Sequence, residues 1–245
     1  MASFPLWAPD TGLDGFEIRV STREGGVSQA PYDSLNLADH VGDQAECVAE
    51  NRRRLAEALP GGAPCWLNQV HGVNVVEATP GLVPDADAHW TAARNLPLAV
   101  LTADCLPVVL MATDTSCVGI AHAGWRGLAS GVLESLLAAM PAKPTSMTAW
   151  LGPAISAAAY EVGPEVKATF EQQCGEESGD CFQASRRQGH WMADLSALAR
   201  LRLSRAGVST ITGGGRCTVG EPKHFFSHRR EGPATGRMAT LVWLS

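Results

Sequence analysis

The sequence predicts an α+β fold: one domain over residues 1–245, a layered α/β sandwich with mixed β-sheets and flanking helices. Two observations carry that reading. Apolar runs of strand length, at 98–101 and 106–111, and a further strand at 147–151 alternate with segments whose apolar residues recur at helical spacing, such as Leu128, Val132, Leu133, Leu136, Leu137 and Met140. No repeat and no linker divides the 245 residues, a length that buries a substantial core.

Residues 16–20 alternate as a strand and run into the Gly-rich turn 21–28. Such a loop offers backbone N–H groups to an anion or serves as a plain hairpin turn. Asp43, with Glu46 three positions on, has the spacing of a capping box. It opens a helix with Val48, Leu55 and Leu59 on its apolar face, stopped by Pro60. Residues 65–72 read as a strand ending on His71, with 73–77 as its continuation or hairpin partner.

The chain is organised around residues 98–128, which read as two buried strands. The first carries Thr102-Ala103-Asp104-Cys105 in its middle, and the second ends at His122, just before Gly124-Trp125-Arg126-Gly127. A helix from Gly127 to Met140 follows, then a strand at 147–151 and a helix opened by Pro164. Segment 175–189 is polar and irregular, a surface excursion. Asp194 to Ala206 is a helix stopped by Gly207, and 239–244 is a closing strand.

Net charge is −6 and no block of like charge appears, so neither a nucleic-acid partner nor an anionic membrane surface is indicated. Arg52-Arg53-Arg54 reads as a solvated helix face. No run reaches the roughly 18 apolar residues of a membrane span. The first residues lack the basic and apolar regions of a signal peptide. Seven cysteines without clustered spacing, in a chain with no export signal, point to reduced thiols, most of them buried, and a cytoplasmic location. A monomer is the default expectation.

A cysteine, an aspartate and histidines set among apolar strands are costly unless something uses them. His71, Cys105 and His122 admit three readings: zinc held by two imidazoles and a thiolate, a Cys105–His122 nucleophile pair, or copper at the same ligands. Gaps of 34 and 17 residues match no short-loop metal signature, so spacing alone leaves the three open. Arg126, flanked by glycines and four positions beyond His122, is a candidate phosphate ligand or a surface arginine at a helix start. Asp104 is a candidate for holding a ligand histidine in place from behind.

The chain resembles the multicopper polyphenol oxidoreductases, or laccase-domain proteins, also described as purine nucleoside phosphorylases. The resemblance runs almost end to end. It includes Ser21-Thr22-Arg23, Ser34-Leu35-Asn36-Leu37, Asn51-Arg52 and Gln69-Val70-His71-Gly72. Its densest parts are Leu101-Thr102-Ala103-Asp104-Cys105-Leu106-Pro107 and Ala121-His122-Ala123-Gly124-Trp125-Arg126-Gly127. Trp150-Leu151-Gly152-Pro153, Glu161-Val162-Gly163, Cys217-Thr218 and Gly236-Arg237-Met238 follow. His228 departs from the family, which more commonly has tyrosine there.

The resemblance implies one zinc ion on His71, Cys105 and His122, with these three as the catalytic residues and copper as an alternative ion. It implies phosphorolysis of adenosine, inosine and methylthioadenosine to free base and pentose-1-phosphate, with adenosine deamination as an attributed side activity. Arg52 with Asn36, and then Arg126, are the expected phosphate-binding residues. The older laccase reading, a copper-dependent polyphenol oxidase, fits poorly, because a multicopper oxidase needs many histidines in His-X-His pairs. This chain has seven histidines and no such pair. A Cys–His hydrolase acting on cell-wall precursors is the other alternative.

Overall fold

The computed structural model describes residues 4–10, 12 and 14–245. Strands β1 (Leu6–Trp7) and β2 (Phe16–Ser21) precede helix α1 (Ala45–Glu57). Next come β3 (Val75–Glu77), β4 (Ala88–Thr91), β5 (Leu98–Thr102), β6 (Leu106–Ala112) and β7 (Val118–Ala123), then α2 (Trp125–Ser130) and α3 (Val132–Ala139). The remainder runs β8 (Met147–Leu151), β9 (Glu161–Val162), α4 (Pro164–Cys174), β10 (Phe182–Ala184) and β11 (Trp191–Ala193). It closes with α5 (Leu195–Arg205), β12 (Thr210–Gly213), α6 (His228–Glu231) and β13 (Met238–Leu244).

Two sheets stack at the centre. One is antiparallel, in the order β1-β2-β13-β5. The other has six strands in the order β12-β8-β6-β7-β4-β3, antiparallel inside and parallel at both edges. A small sheet, β10-β11-β9, lies apart from them in the topology.

Side-chain alternation assigns the layers. Ile18, Val100 and Val242 from the first sheet meet Val109, Ile120 and Trp150 from the second. The opposite faces of these same strands carry Val108, Leu110 and Ala149 against the helices α2 to α5. On the far side, Leu101, Leu241 and Trp243 pack on Leu55 of α1 and on Leu35 and Leu37. The result is a mixed α/β sandwich with helices on both outer faces, as the sequence predicts. Every residue of β5, β6, β7 and β8 is buried, which is why 98–101 and 106–111 read as apolar runs without polar alternation.

The structure corrects several local expectations. Residues 98–112 are not one strand with Asp104 in its middle: β5 belongs to one sheet and β6 to the other. The chain bends between them at Ala103-Asp104-Cys105, with Asp104 at φ 93°. Two apolar runs in sequence cannot reveal that they serve different sheets. Residues 65–72 form isolated bridges, Cys65 to Leu98 and Asn68 to Asp85, rather than a strand, and β3 pairs with β4.

Asp43 does not cap α1. Gln44 holds the cap position without a side-chain bond; Asp43 Oδ2 accepts from Ser28 Oγ and Asn36 Nδ2 at 2.6 and 2.9 Å, and its Oδ1 accepts from the Gln44 N–H at 2.8 Å. The predicted helix 127–140 is two helices, broken at Gly131 (φ 100°), whose N–H closes α2 onto Gly127 O and Leu128 O. Segment 175–189 contains a 3₁₀ turn (Glu176–Cys181) and β10.

The Gly-rich turn offers no free anion cradle. Gly26 and Val27 donate to Ser34 Oγ and Asn51 Oδ1. All seven cysteines are free, but only three of them, Cys65, Cys117 and Cys174, are buried, rather than most of them as the sequence suggests. No described helix is long and apolar enough to cross a membrane.

Candidate metal centre

Three segments bring His71, Cys105 and His122 together. His122 lies in β7, paired with Pro107 of β6, and the same register sets Cys105 beside the end of that ladder. His71 arrives on the irregular segment after Cys65, held to β5 by Gln69. The Gln69 amide donates to Leu101 O at 2.8 Å and accepts from Leu101 N at 2.7 Å, standing in for a strand's backbone. One donor atom from each residue falls within 4.8 Å of the other two. Among the described residues, this is the one such group of histidine, cysteine or carboxylate side chains.

The surroundings are shaped to these three. A Cβ at Gly124 would stand 3.1 Å from both Cys105 Sγ and His71 Cδ2, so only glycine fits the position without moving them. The carboxylate behind the histidines is Asp87, not Asp104. Asp87 Oδ1 accepts from His122 Nδ1 at 2.8 Å, and the backbone N–H groups of Val70, His71 and Gly72 also donate to this carboxylate. Asp104 instead accepts from Thr218 Oγ1 and from the backbone N–H of Arg229, both at 2.6 Å.

Charge follows from these contacts. Burial opposes the Cys105 thiolate, yet the His122 and His71 imidazoles outweigh it and bring its pKa down to about 6. Burial equally opposes a protonated His122, but Cys105 and Asp87 together push it up to about 9. Burial likewise opposes an ionised Asp87, and its bonds to His122 and the 70–72 backbone still hold its pKa below the usual carboxylate value.

The group lines a cavity of about 400 Å³. Arg126, Arg229 and Arg237 are on its wall, with Trp125, Tyr160 and Ile155. None of the three arginines has a carboxylate partner within salt-bridge distance among the described residues. Arg126 stacks over the Trp125 ring at 4.5 Å and Arg229 over the Tyr160 ring at 5.2 Å. Tyr160 keeps its proton, because burial first, and then the Cys105 charge, push the phenol up. His40 and His228 are also on the wall.

Of the residues singled out by sequence, the structure gathers His71, Cys105, His122, Asp104 and Arg126 here. It does not bring Arg52 or Asn36 to the wall. The Arg52 Nε–H donates to Leu37 O, and its guanidinium lies over Trp66. Asn36 is fully buried, and its Oδ1 accepts from the backbone N–H of Arg237 at 3.0 Å. Asn36 therefore stands directly behind an arginine that lines the wall, whereas Arg52 lies away from it, paired with Asp39 at 3.3 Å. Sequence reasoning passed over Asp87, Arg229, Arg237 and Tyr160 as site residues. The motifs around Arg229 and Arg237 were visible, but nothing local tied them to a site more than a hundred positions away.

Residues 17–245 match the family described as multi-copper polyphenol oxidoreductase laccase. The chain is 49% identical to the purine nucleoside phosphorylase of Pseudomonas aeruginosa, with 92% of each chain covered. It is 45% identical to purine nucleoside phosphorylase YfiH of Escherichia coli, over 98% of this chain and 97% of that one. Among solved structures, a Neisseria meningitidis protein superposes with a TM-score of 0.93 at 46% identity, covering 98% and 99% of the two chains. YlmD of Geobacillus stearothermophilus superposes at 0.87 with 34% identity, covering 96% and 94%. The chain belongs to the multi-copper polyphenol oxidoreductase laccase family.

Proposed function

We propose that this protein is a purine nucleoside phosphorylase, cleaving adenosine, inosine and methylthioadenosine with phosphate to free base and pentose-1-phosphate. The observation that carries the reading is one cavity holding a His71–Cys105–His122 donor set, three arginines without carboxylate partners, and two aromatic rings. The names of the relatives point the same way.

The donors fit a metal. Two imidazoles and a thiolate suit zinc, and also copper, and Gly124 leaves them room. Asp87 accepts from His122 Nδ1 and so leaves Nε2 as the ligating atom. Zinc bound there supplies a Lewis acid and a fixed positive charge.

The chain's own residues account for the rest. Arg126, Arg229 and Arg237 bind the phosphate dianion through planar N–H forks and turn one oxygen toward the sugar. That oxygen bonds to the anomeric carbon as the glycosidic bond breaks. The purine nitrogen leaves with the electron pair and takes up the proton that the phosphate dianion gives up on becoming the pentose ester. The Tyr160 hydroxyl, which keeps its own proton, is a hydrogen-bond donor on the wall. Trp125 and Ile155 flank the base and exclude water, which would otherwise compete with phosphate.

The test is mass-spectrometric product analysis of metal-quantified protein with adenosine, with and without phosphate, beside Cys105→Ala. Adenine and pentose-1-phosphate formed only with phosphate and only with Cys105 intact support the reading. Inosine formed regardless of phosphate makes deamination the main reaction. Neither product from zinc-loaded protein overturns the nucleoside assignment and brings the hydrolase alternative forward.

A further inference from the structure

We infer that Asp87 is the positioning residue of the metal centre: one carboxylate sets the placement of two ligands, His71 and His122, that come from separate parts of the chain. The inference rests on the metal reading above. The Asp87 side chain has no solvent exposure, and four donors converge on it. His122 Nδ1 and the backbone N–H of His71 reach Oδ1 at 2.8 and 2.9 Å. The backbone N–H groups of Val70 and Gly72 reach Oδ2 at 3.2 and 2.6 Å.

Three successive N–H groups aimed at one anion make a nest, the arrangement by which backbone binds phosphates. Here the chain's own carboxylate fills it. His71 sits at φ 60°, a conformation that side chains of its size seldom adopt, so the local sequence does not hold it there. The nest does. On its other side the carboxylate fixes the His122 tautomer and aims Nε2 at the cavity. The Asp87 backbone is itself pinned: its carbonyl accepts from His122 N at 2.7 Å and its N–H donates to Asn74 O at 3.1 Å. The carboxylate is thus a fixed reference to which both ligands are fitted.

Asp87→Asn preserves the volume and breaks the pattern. Whichever way the amide is turned, its NH₂ faces groups that are themselves donors.

The experiment measures zinc affinity by chelator competition for wild type, Asp87→Asn, His71→Ala and the double variant. Metal-free wild type is examined beside them by ¹⁵N NMR of the histidine rings. Expected are a 10- to 100-fold weaker zinc affinity in Asp87→Asn and loss of hydrogen-exchange protection at amides 70–72. A smaller effect of Asp87→Asn is expected when His71 is already absent. In metal-free wild type, Nδ1 of His122 is expected to carry a proton in the charged ring and to keep it in the neutral one, a readout that needs no variant to fold.

Equal zinc affinity in Asp87→Asn and wild type, or a His122 proton on Nε2 alone, overturns the inference and leaves the metal reading standing. A wild type that binds no zinc overturns the metal reading and this inference with it.

Discussion

The backbone N–H of Arg229 donates to Asp104 Oδ2 at 2.6 Å, joining two residues 125 positions apart. The other oxygen of Asp104 takes the Thr218 hydroxyl. This buried carboxylate therefore fastens α6, with His228 and Arg229, to the bend that delivers Cys105. Asp104→Ala removes both bonds and should cost about 2–3 kcal/mol of stability, as expected for buried hydrogen bonds to a charged group. It should also raise the KM for phosphate more than the KM for nucleoside. Urea denaturation and two-substrate kinetics check the two effects separately.

Gly124 is the tightest point of the donor cluster. In Gly124→Ala the new methyl stands 3.1 Å from Cys105 Sγ and His71 Cδ2, closer than carbon and sulfur settle at rest. The fold should survive, since Gly124 precedes α2 in extended backbone that alanine adopts freely. Zinc affinity should fall by about tenfold or more, a loss comparable to disturbing a ligand's supporting contacts. Circular dichroism with chelator competition distinguishes this from general unfolding.

Arg237 has no carboxylate partner within salt-bridge distance among the described residues, and burial works against its charge. A cation kept under those conditions is waiting for an anion. Arg237→Lys should not rescue it, because a point charge replaces a planar fork. Both Arg237→Lys and Arg237→Ala should raise the phosphate KM by about 10-fold or more, about 1.4 kcal/mol or more of lost binding, and leave the nucleoside KM nearly unchanged. Equal increases in both constants would count against the proposed phosphate wall.

Glu231 gives the acid limb of stability a defined origin. Burial raises its pKa, but bonds from Thr235, Arg230, Arg23 and Ser227 overcome that and hold it at about 2 against an ordinary 4.5. A carboxyl lowered on folding stabilises the protein fully above its unfolded pKa. That contribution fades as pH falls from about 4.5 toward 2. At pH 7, Glu231→Gln should be less stable than wild type by up to about 3 kcal/mol, and the gap should narrow steadily below pH 4.5. Urea midpoints across that range test the sign directly.

The elements most legible in the sequence were those whose pattern is local and complete. β8 needs only five buried residues, four of them apolar, bounded by turn signals, and α5 needs only Asp194 before it and Gly207 after it. Asp194 Oδ1 duly accepts from Ala197 N, and Gly207 takes φ 99°. What stayed hidden depends on which sheet a run joins. β5 and β6 look alike because both are buried on both faces, so the bend at Asp104 leaves no composition signal.

The donor set became legible through motif resemblance and not through spacing, since its three members meet only after two sheets have formed. Asp87 was missed for a similar reason. It stands in a polar loop beside Asp85, which bonds Asn68, and the two aspartates look equivalent until the fold separates them. Asn36 and Arg52 were visible as motif residues, but their place off the cavity lining depends on contacts with Arg237 and Leu37 that sequence does not show.

β13 lies between β2 and β5 in its sheet, although it is the last strand of the chain. β5, to which Gln69 fastens the segment carrying His71, is an edge strand whose partner in that sheet is β13. Arg237 stands immediately before β13. The last strand therefore props up both the support of His71 and the position of Arg237, so a chain without it would lose the two together.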